Sequence, residues 1–323
     1  MRDDNCDAAD LPDPMLNERS VERLAAMLEA RIAAAVPGGE GKSGRLRAAV
    51  RHAALAPGKR ARGLIALLVA ESWGRPAELA LDAAAAIELV HAASLVLDDL
   101  PVMDDTPERR GRPSCHVAYG EAAAVLAAVA LLGQAFGMVA ADLRMAGAAR
   151  LDLVDVLSRS IGLDGMTGGQ DLDLAPPPDM PTVADIEAVH AAKTGALFEA
   201  AALAGAIAAG IDGPRRALMA EFGLRLGLGF QALDDLADEE PAPSRGGAGT
   251  EGRPSVSDWP GISVLIGQEG ARDRADRHVA AALECLEASG ANAARLAQYV
   301  EGLVELMRGK AEATRTRRRA AAR

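Results

Sequence analysis

Apolar residues recur at the three- and four-residue spacing of a helix over eight stretches of this chain, and no stretch alternates strictly at the two-residue spacing of a strand. The eight run from Val21 to Val36, Leu64 to Trp73, Ala77 to Leu97, Ala122 to Met145, Leu151 to Leu163, Val183 to Ile211, Pro214 to Leu236 and Gly270 to Met307. Composition points the same way: 50% of the residues are hydrophobic but only 2% are aromatic, so alanine and leucine carry the apolar set. Those are helix formers, not strand formers. Pro37-Gly38-Gly39, Pro57-Gly58, Gly74 with Pro76, Pro101, Gly111 with Pro113 and Pro176-Pro177-Pro178 punctuate the runs. Thr182 followed by Asp185 reads as a capping box opening a helix. The expectation is one all-α domain over residues 21–308, after a flexible extension at 1–20. Residues 239–258 form a polar Gly/Pro/Ser segment expected to be a lid or a disordered loop. Residues 309–323 form a basic tail expected to be solvated and frayed.

A formal net charge of −11 argues against a nucleic-acid partner, which needs a basic face to displace counterions from phosphates. Cys6, Cys115 and Cys285 lie far apart with no CxxC pair, which suggests neither a disulfide framework nor a zinc site and suits a cytoplasmic setting. The opening MRDDNCDAADLPDP is acidic where a secretory leader is basic. Ala122 to Ala141 reaches the length of a bilayer span, but Glu121 and Asp142 bracket it and no Trp or Tyr stands at its ends. It is expected to be a helix buried inside a bundle, with no transmembrane segment in the chain.

Two carboxylate clusters carry the chemistry. Each closes an apolar helix: Asp98-Asp99 followed by Asp104-Asp105, and Asp234-Asp235 followed by Asp238. Asp234, Asp235 and Asp238 stand three and four apart, a spacing at which all three can share a helical face. Asp98 and Asp104 are six apart, but Pro101 favours ending the helix between them and lets the chain fold Asp104 back. Carboxylates at a helix C-terminus oppose the macrodipole and repel one another unless a cation joins them. Magnesium, held by one or two carboxylates plus substrate phosphates, is the natural partner.

Cations for phosphate are present despite the acidic total: Gly58-Lys59-Arg60-Ala61-Arg62, Arg109-Arg110-Gly111-Arg112 and Lys193-Thr194-Gly195. Lys193 is the most telling, because a lysine directed into an apolar helix bundle needs a partner. His91 lies two helical turns before Asp98 and so on about the same face, which favours a phosphate role over that of a core histidine.

In order and approximate spacing, GKRAR, HAASLVLDDLPVMDD with RRGRPSCH, GGQDLDL, AKTGALFEAA and GFQALDDLAD resemble the polyprenyl synthetases, the trans-isoprenyl diphosphate synthases. The resemblance spans about residues 20–308 and is closest to the carotenoid-pathway geranylgeranyl diphosphate synthases. It implies an antiparallel helical bundle around a deep central cavity, with the two Asp motifs facing across its mouth. On that likeness Asp98, Asp99, Asp104, Asp234, Asp235 and Asp238 would hold three Mg²⁺ ions on an allylic diphosphate, assisted by Arg109, Lys193 and Gln231. Lys59, Arg62, His91 and Arg110 would hold isopentenyl diphosphate, and Thr194, Phe230 and Gln170 would line the reacting carbons. The allylic partner would be dimethylallyl, geranyl or farnesyl diphosphate, and the protein a homodimer. In this family a bulky aromatic just before the first motif stops growth at fifteen carbons. Ala93 and Ser94, five and four residues before Asp98, are both small and imply a C20 product or longer, with Val90, Leu126 and Ala130 as candidates for the deeper floor.

The chain departs from the family after the second motif. No lysine lies between Asp238 and Gly267, where a Gly-Lys pair and a further lysine are usual, and Arg245 and Arg253 are the cations there. Gly63 stands where proline is common, and Pro107-Glu108 replaces a more acidic stretch. Two other readings share the scaffold: a catalytically weak partner subunit of another synthase, and a terpene cyclase, whose cations are commonly steadied by aromatic walls, whereas this chain has eight aromatic residues in all.

Overall fold

A computed structural model of the chain describes residues 14–36, 38–39, 43–175, 181–238 and 261–321. Thirteen α-helices follow in order among them: α1 (Pro14–Ala35), α2 (Gly44–Ala54), α3 (Ala61–Ser72), α4 (Leu81–Asp98), α5 (Cys115–Tyr119), α6 (Glu121–Ala141), α7 (Gly147–Ile161), α8 (Met166–Leu174), α9 (Val183–His190), α10 (Ala196–Ala208), α11 (Gly213–Asp238), α12 (Ile262–Ser289) and α13 (Ala294–Ala321). A two-residue hairpin, β1 (Glu108–Arg109) with β2 (Arg112–Pro113), is the strand content of the described residues.

The middle of the bundle is made of α3, α4 and α10. Every residue of α10 from Ala200 to Ala208 is buried, as are Ala83–Ala86, Ile87, Leu89 and Val90 of α4. So many alanines at the crossings let helix axes come close and pack densely with few aromatics. Phe198 and Phe222 are the largest fully buried side chains. The outer helices are held by ion pairs as well; Glu187 of α9 accepts hydrogen bonds from Arg274 of α12 and meets His278 Nε2 at 2.9 Å. Arg274 foremost holds the Glu187 carboxyl down to about 2.

Several expectations are corrected here. The run from Val183 to Ile211 is α9 and α10 joined by a π-helical turn, Ala191–Gly195, and the run from Gly270 to Met307 is α12 and α13, broken at Gly290 with φ +74°. Two further helices lie outside the expected runs: α8, whose two glycines thin its apolar face, and the short α2, whose three arginines mask an apolar stripe of Leu46, Ala49, Val50, Ala53 and Ala54 that packs on the core. α1 begins at Pro14, inside the stretch expected to be an extension, and α13 continues to Ala321 through most of the stretch expected to be a frayed tail. The segment 239–258 lies outside the described residues.

Three helical stretches, Ala77–Asp98, Glu121–Ala141 and Val183–Ala208, are long and apolar enough to cross a bilayer by length and composition. Two of them pack through the bundle centre, but α6 was expected to be buried and is not. It covers Ala124, Ala127, Ala128 and Leu131 against α4 and leaves Val125, Leu126 and Val129 exposed on the other side.

Candidate active site

α4 presents His91, Ser94 and Asp98 at steps of three and four residues, so they share a helical face. That face lines a cavity of about 1010 Å³, which Ala93 and Leu97 line as well. The helix stops at Asp98, and the turn around Pro101 brings the Asp104 N–H to the Asp98 carbonyl oxygen at 2.8 Å. The six-residue step is thereby folded back, and both carboxylates stand on the cavity wall. Asp99 turns away: it is buried and accepts from Arg109 Nε at 2.6 Å.

Burial pushes the Asp98 carboxyl up to about 6; Lys193 opposes the shift and Asp104 adds to it. Burial raises Asp104 too. An unfolded aspartate titrates near about 4, so the folded protein binds the extra proton between about pH 4 and 6 and loses stability as pH rises through that window. Asp98→Asn is therefore expected to stabilise the protein in a chelator by about 1–3 kcal/mol at pH 7.5 and by little near pH 4. Urea denaturation at the two pH values measures it.

The second arm comes from α11. Asp234 lines the cavity, whereas Asp235, one residue on and about 100° around the helix, takes part in a separate chain of contacts. Thr194 Oγ1 donates to Gln231 Oε1 at 2.7 Å, and Gln231 Nε2 donates to Asp235 Oδ1 at 2.8 Å. Asp235 Oδ2 is buried without a hydrogen-bond partner, and His190 Nε2 lies 3.2 Å from it outside hydrogen-bond geometry. Asp238 ends α11, and its side chain lies outside the described residues.

Lys193 stands on the π-helical turn, a widened turn of the kind often found at functional sites. Its ammonium donates to Asp173 Oδ2 of α8 at 2.6 Å. Burial works against its charge, but Asp173, Asp98 and Asp104 outweigh burial and raise its pKa. α8 comes this close because Gly169 has no side chain: a Cβ there would collide with the Lys193 backbone nitrogen. Asp173→Ala is expected to lower kcat/KM about tenfold to a hundredfold by loosening Lys193, with Asp173→Glu recovering part of the loss in steady-state assays.

Lys59, Arg62, His91 and Arg110 gather on another part of the wall. Arg62 stacks 4.5 Å above the Phe198 ring, its Nε is buried without a partner, and burial pushes it down to about 10, which leaves it charged at neutral pH. His91 is pushed well below the usual histidine range by burial, then by Arg62 and Arg110, so its imidazole is neutral at pH 7. Arg110 sits at φ +56° in the β1–β2 turn and donates to Pro57 O at 2.8 Å. His52 fastens that hairpin: its Nε2 meets Pro113 O at 2.8 Å and its Nδ1 meets Arg112 at 2.9 Å. A carbonyl only accepts, which places the proton on Nε2. Phe230, Thr194 and Gln170 also line the cavity, and both side-chain polar atoms of Gln170 are buried without a partner.

The cavity wall thus collects Lys59, Arg62, His91, Ala93, Ser94, Asp98, Asp104, Arg109, Arg110, Gln170, Lys193, Thr194, Phe230, Gln231 and Asp234. Asp99 and Asp235 stand behind it. Val90, Leu126 and Ala130 are not part of the wall, and Leu132 is the residue α6 contributes. Asp173, Lys310 and Glu88 were missed. Asp173 lay in view inside GGQDLDL, and Glu88 gave the same signal as Lys193, a charge in an apolar helix. Buried Glu88 accepts from the Gly63 N–H at 2.9 Å, a bond that the proline common at this position could not make.

Among the described residues no three His, Cys, Asp or Glu side chains converge to hold a metal ion unaided. The donor set nevertheless suits a hard divalent cation. Asp98 and Asp104 crowd together with raised pKa values, Asp234 lines the same cavity, and magnesium takes one or two carboxylates and completes its shell with phosphate oxygens.

The sequence model of the polyprenyl synthetase family matches residues 43–252. The chain belongs to the polyprenyl synthetase family. It is 40% identical over 280 residues to a geranylgeranyl diphosphate synthase of Pantoea ananas, covering 85% of this chain and 89% of the relative. It is 34% identical over 261 residues to a farnesyl diphosphate synthase of Geobacillus stearothermophilus, covering 80% and 87%. The crystal structure of an FPP/GFPP synthase from Zymomonas mobilis superposes with a TM-score of 0.80 at 31% identity, over 90% of this chain and 99% of that one. Polyprenyl synthetases are prenyltransferases that join isopentenyl diphosphate to an allylic diphosphate, and these relatives differ in the length of their products.

Proposed function

We propose that this polyprenyl synthetase makes geranylgeranyl diphosphate, the C20 product, by magnesium-dependent head-to-tail condensation. The observation that carries the length is at Ala93 and Ser94. Both are small, both line the cavity, and both lie about one turn, roughly 6–8 Å, below Asp98. A growing chain passes them and continues among Leu132, Ile161, Met166 and Leu197.

Asp98, Asp104 and Asp234 would hold magnesium, three ions in the full complex, with Asp99 and Asp235 supporting them from behind. Bound magnesium supplies positive charge to the leaving diphosphate. Lys193 and Arg109 add fixed positive charge on the same group, prepared before reaction by Asp173 and Asp99. Lys59, Arg62, Arg110 and neutral His91 hold isopentenyl diphosphate so that its double bond faces the allylic carbon. The allylic C–O bond breaks, the double bond supplies the electrons of the new C–C bond, and a proton leaves to the released diphosphate. Phe230 and the apolar wall keep water from the cation, while Thr194 and Gln170 line the reacting carbons. No protein nucleophile is needed.

The free thiols of Cys115 and Cys285 suit a reducing cytoplasm, where such a product would feed carotenoid formation. The exposed Val125, Leu126 and Val129 face of α6 supports a homodimer about that helix. Leu126→Lys with Val129→Lys is expected to give a monomer by light scattering. The function is tested by incubating purified protein with Mg²⁺, isopentenyl diphosphate and dimethylallyl, geranyl or farnesyl diphosphate in turn, then sizing the dephosphorylated products. A C20 alcohol is expected. C15 would overturn the length, and no product from any starter would move the reading to a partner subunit.

A further inference from the structure

Lys310 is the last cation on the cavity wall, and it comes from α13, far in sequence from both acidic motifs. Its ammonium donates to Asp234 Oδ1 at 3.1 Å. Lys59 stands close enough that Lys310, after burial, is the largest cause lowering its pKa, and Asp234 and Arg110 bear on Lys59 as well. Lys59 itself points at the Met307 thioether, at 3.1 Å, and not at a carboxylate. This corner of the mouth therefore holds Lys59, Arg110 and Lys310 against Asp234. A cluster of cations that repel one another gains most from an anion with several charges.

We infer that Lys310 is an exchangeable cation: it caps Asp234 when no metal is bound and turns to the diphosphate of isopentenyl diphosphate when a divalent cation takes that carboxylate. The inference rests on the prenyltransferase reading of the site and adds to it a coupling between metal loading and capture of the second substrate. Exchange is easy because the pair is partly exposed, 48% for the lysine side chain and 32% for the aspartate, and such pairs contribute little to stability. A lysine suits the task, since its ammonium is a point charge on a flexible stem able to serve either oxygen acceptor. The chain has no lysine between Asp238 and Gly267, so a cation delivered from α13 has an evident use.

The test compares wild type with Lys310→Met, which keeps the stem and removes the charge, and with Lys310→Arg. Mn²⁺ binding to substrate-free protein, followed by electron paramagnetic resonance, is expected to tighten about threefold to tenfold in Lys310→Met, because the competing ammonium is gone. In steady state the same variant is expected to raise KM for isopentenyl diphosphate about tenfold, leaving KM for the allylic substrate within about twofold. Lys310→Arg should restore KM in part. Unchanged or weaker Mn²⁺ binding in Lys310→Met would overturn the inference, and so would a rise in the allylic KM alone. If wild type itself bound no Mn²⁺ and formed no product, the reading of the site would fall, an outcome distinct from failure of the exchange.

Discussion

Asp98→Ala and Asp234→Ala are each expected to lower kcat/KM by about 10³-fold or more, with the helical content of the protein unchanged. The two residues come from helices that approach only in the folded bundle, and both line the cavity. Each variant would remove an oxygen donor from the proposed cation site, so charge building on the leaving diphosphate would lose part of its compensation. The fold should tolerate both changes. In the metal-free protein Asp98 is a crowded carboxylate held well above its usual pKa, and Asp234 is partly exposed. The double variant should be little worse than either single one, because the donors act as a unit. Circular dichroism with single-turnover kinetics separates this from unfolding; additive losses, or full activity in either single variant, would contradict it.

Ala93→Tyr is expected to change the product from C20 to C15. Ala93 is buried, lies one helical turn before Leu97, and lines the cavity. A phenol there projects into the space that a growing chain would enter. Overpacking in a filled core costs about 1–3 kcal/mol, but here the ring has a cavity to occupy, so the variant should fold. A smaller step, Ala93→Val, should give a mixture. Sized alcohols from isopentenyl and geranyl diphosphate read the outcome. An unchanged C20 product would mean that the chain grows along another path and that Leu132 and Ile161, not α4, set its length.

How far the site was legible in sequence differs from residue to residue. The return of Asp104 to Asp98 followed from Pro101, because proline's effect on a helix end is local and needs no tertiary context. The partner of Lys193 could be demanded from sequence but not named, since Asp173 becomes its neighbour through the close approach at Gly169. Treating consecutive aspartates as one unit concealed a rotation: on a helix, adjacent residues diverge by about 100°, and Asp235 leaves the wall that Asp234 joins. Lys310 was out of reach, because it meets Asp234 through the packing of α13 on α11, with no spacing to announce it. In the fold, long apolar helices such as α4 and α10 were plain. The glycine-containing α8 and the break at Gly290 were hidden because each interrupts an apolar stripe, while the stripe of α2, Leu46 to Ala54, was masked by three arginines and a histidine within eleven residues.

The central claim is that one cavity holds both diphosphates, the allylic one between Asp98 and Asp234 and the isopentenyl one on Lys59, Arg62, His91 and Arg110. A crystal structure of the protein with Mg²⁺, isopentenyl diphosphate and a non-ionising thio analogue of an allylic diphosphate tests it most directly. The account predicts metal density bridging Asp98, Asp104 and Asp234 to the analogue, the second diphosphate on the four basic and histidine side chains, and the analogue's tail running past Ala93. Diphosphates bound in exchanged positions, or a tail directed away from α4, would contradict it.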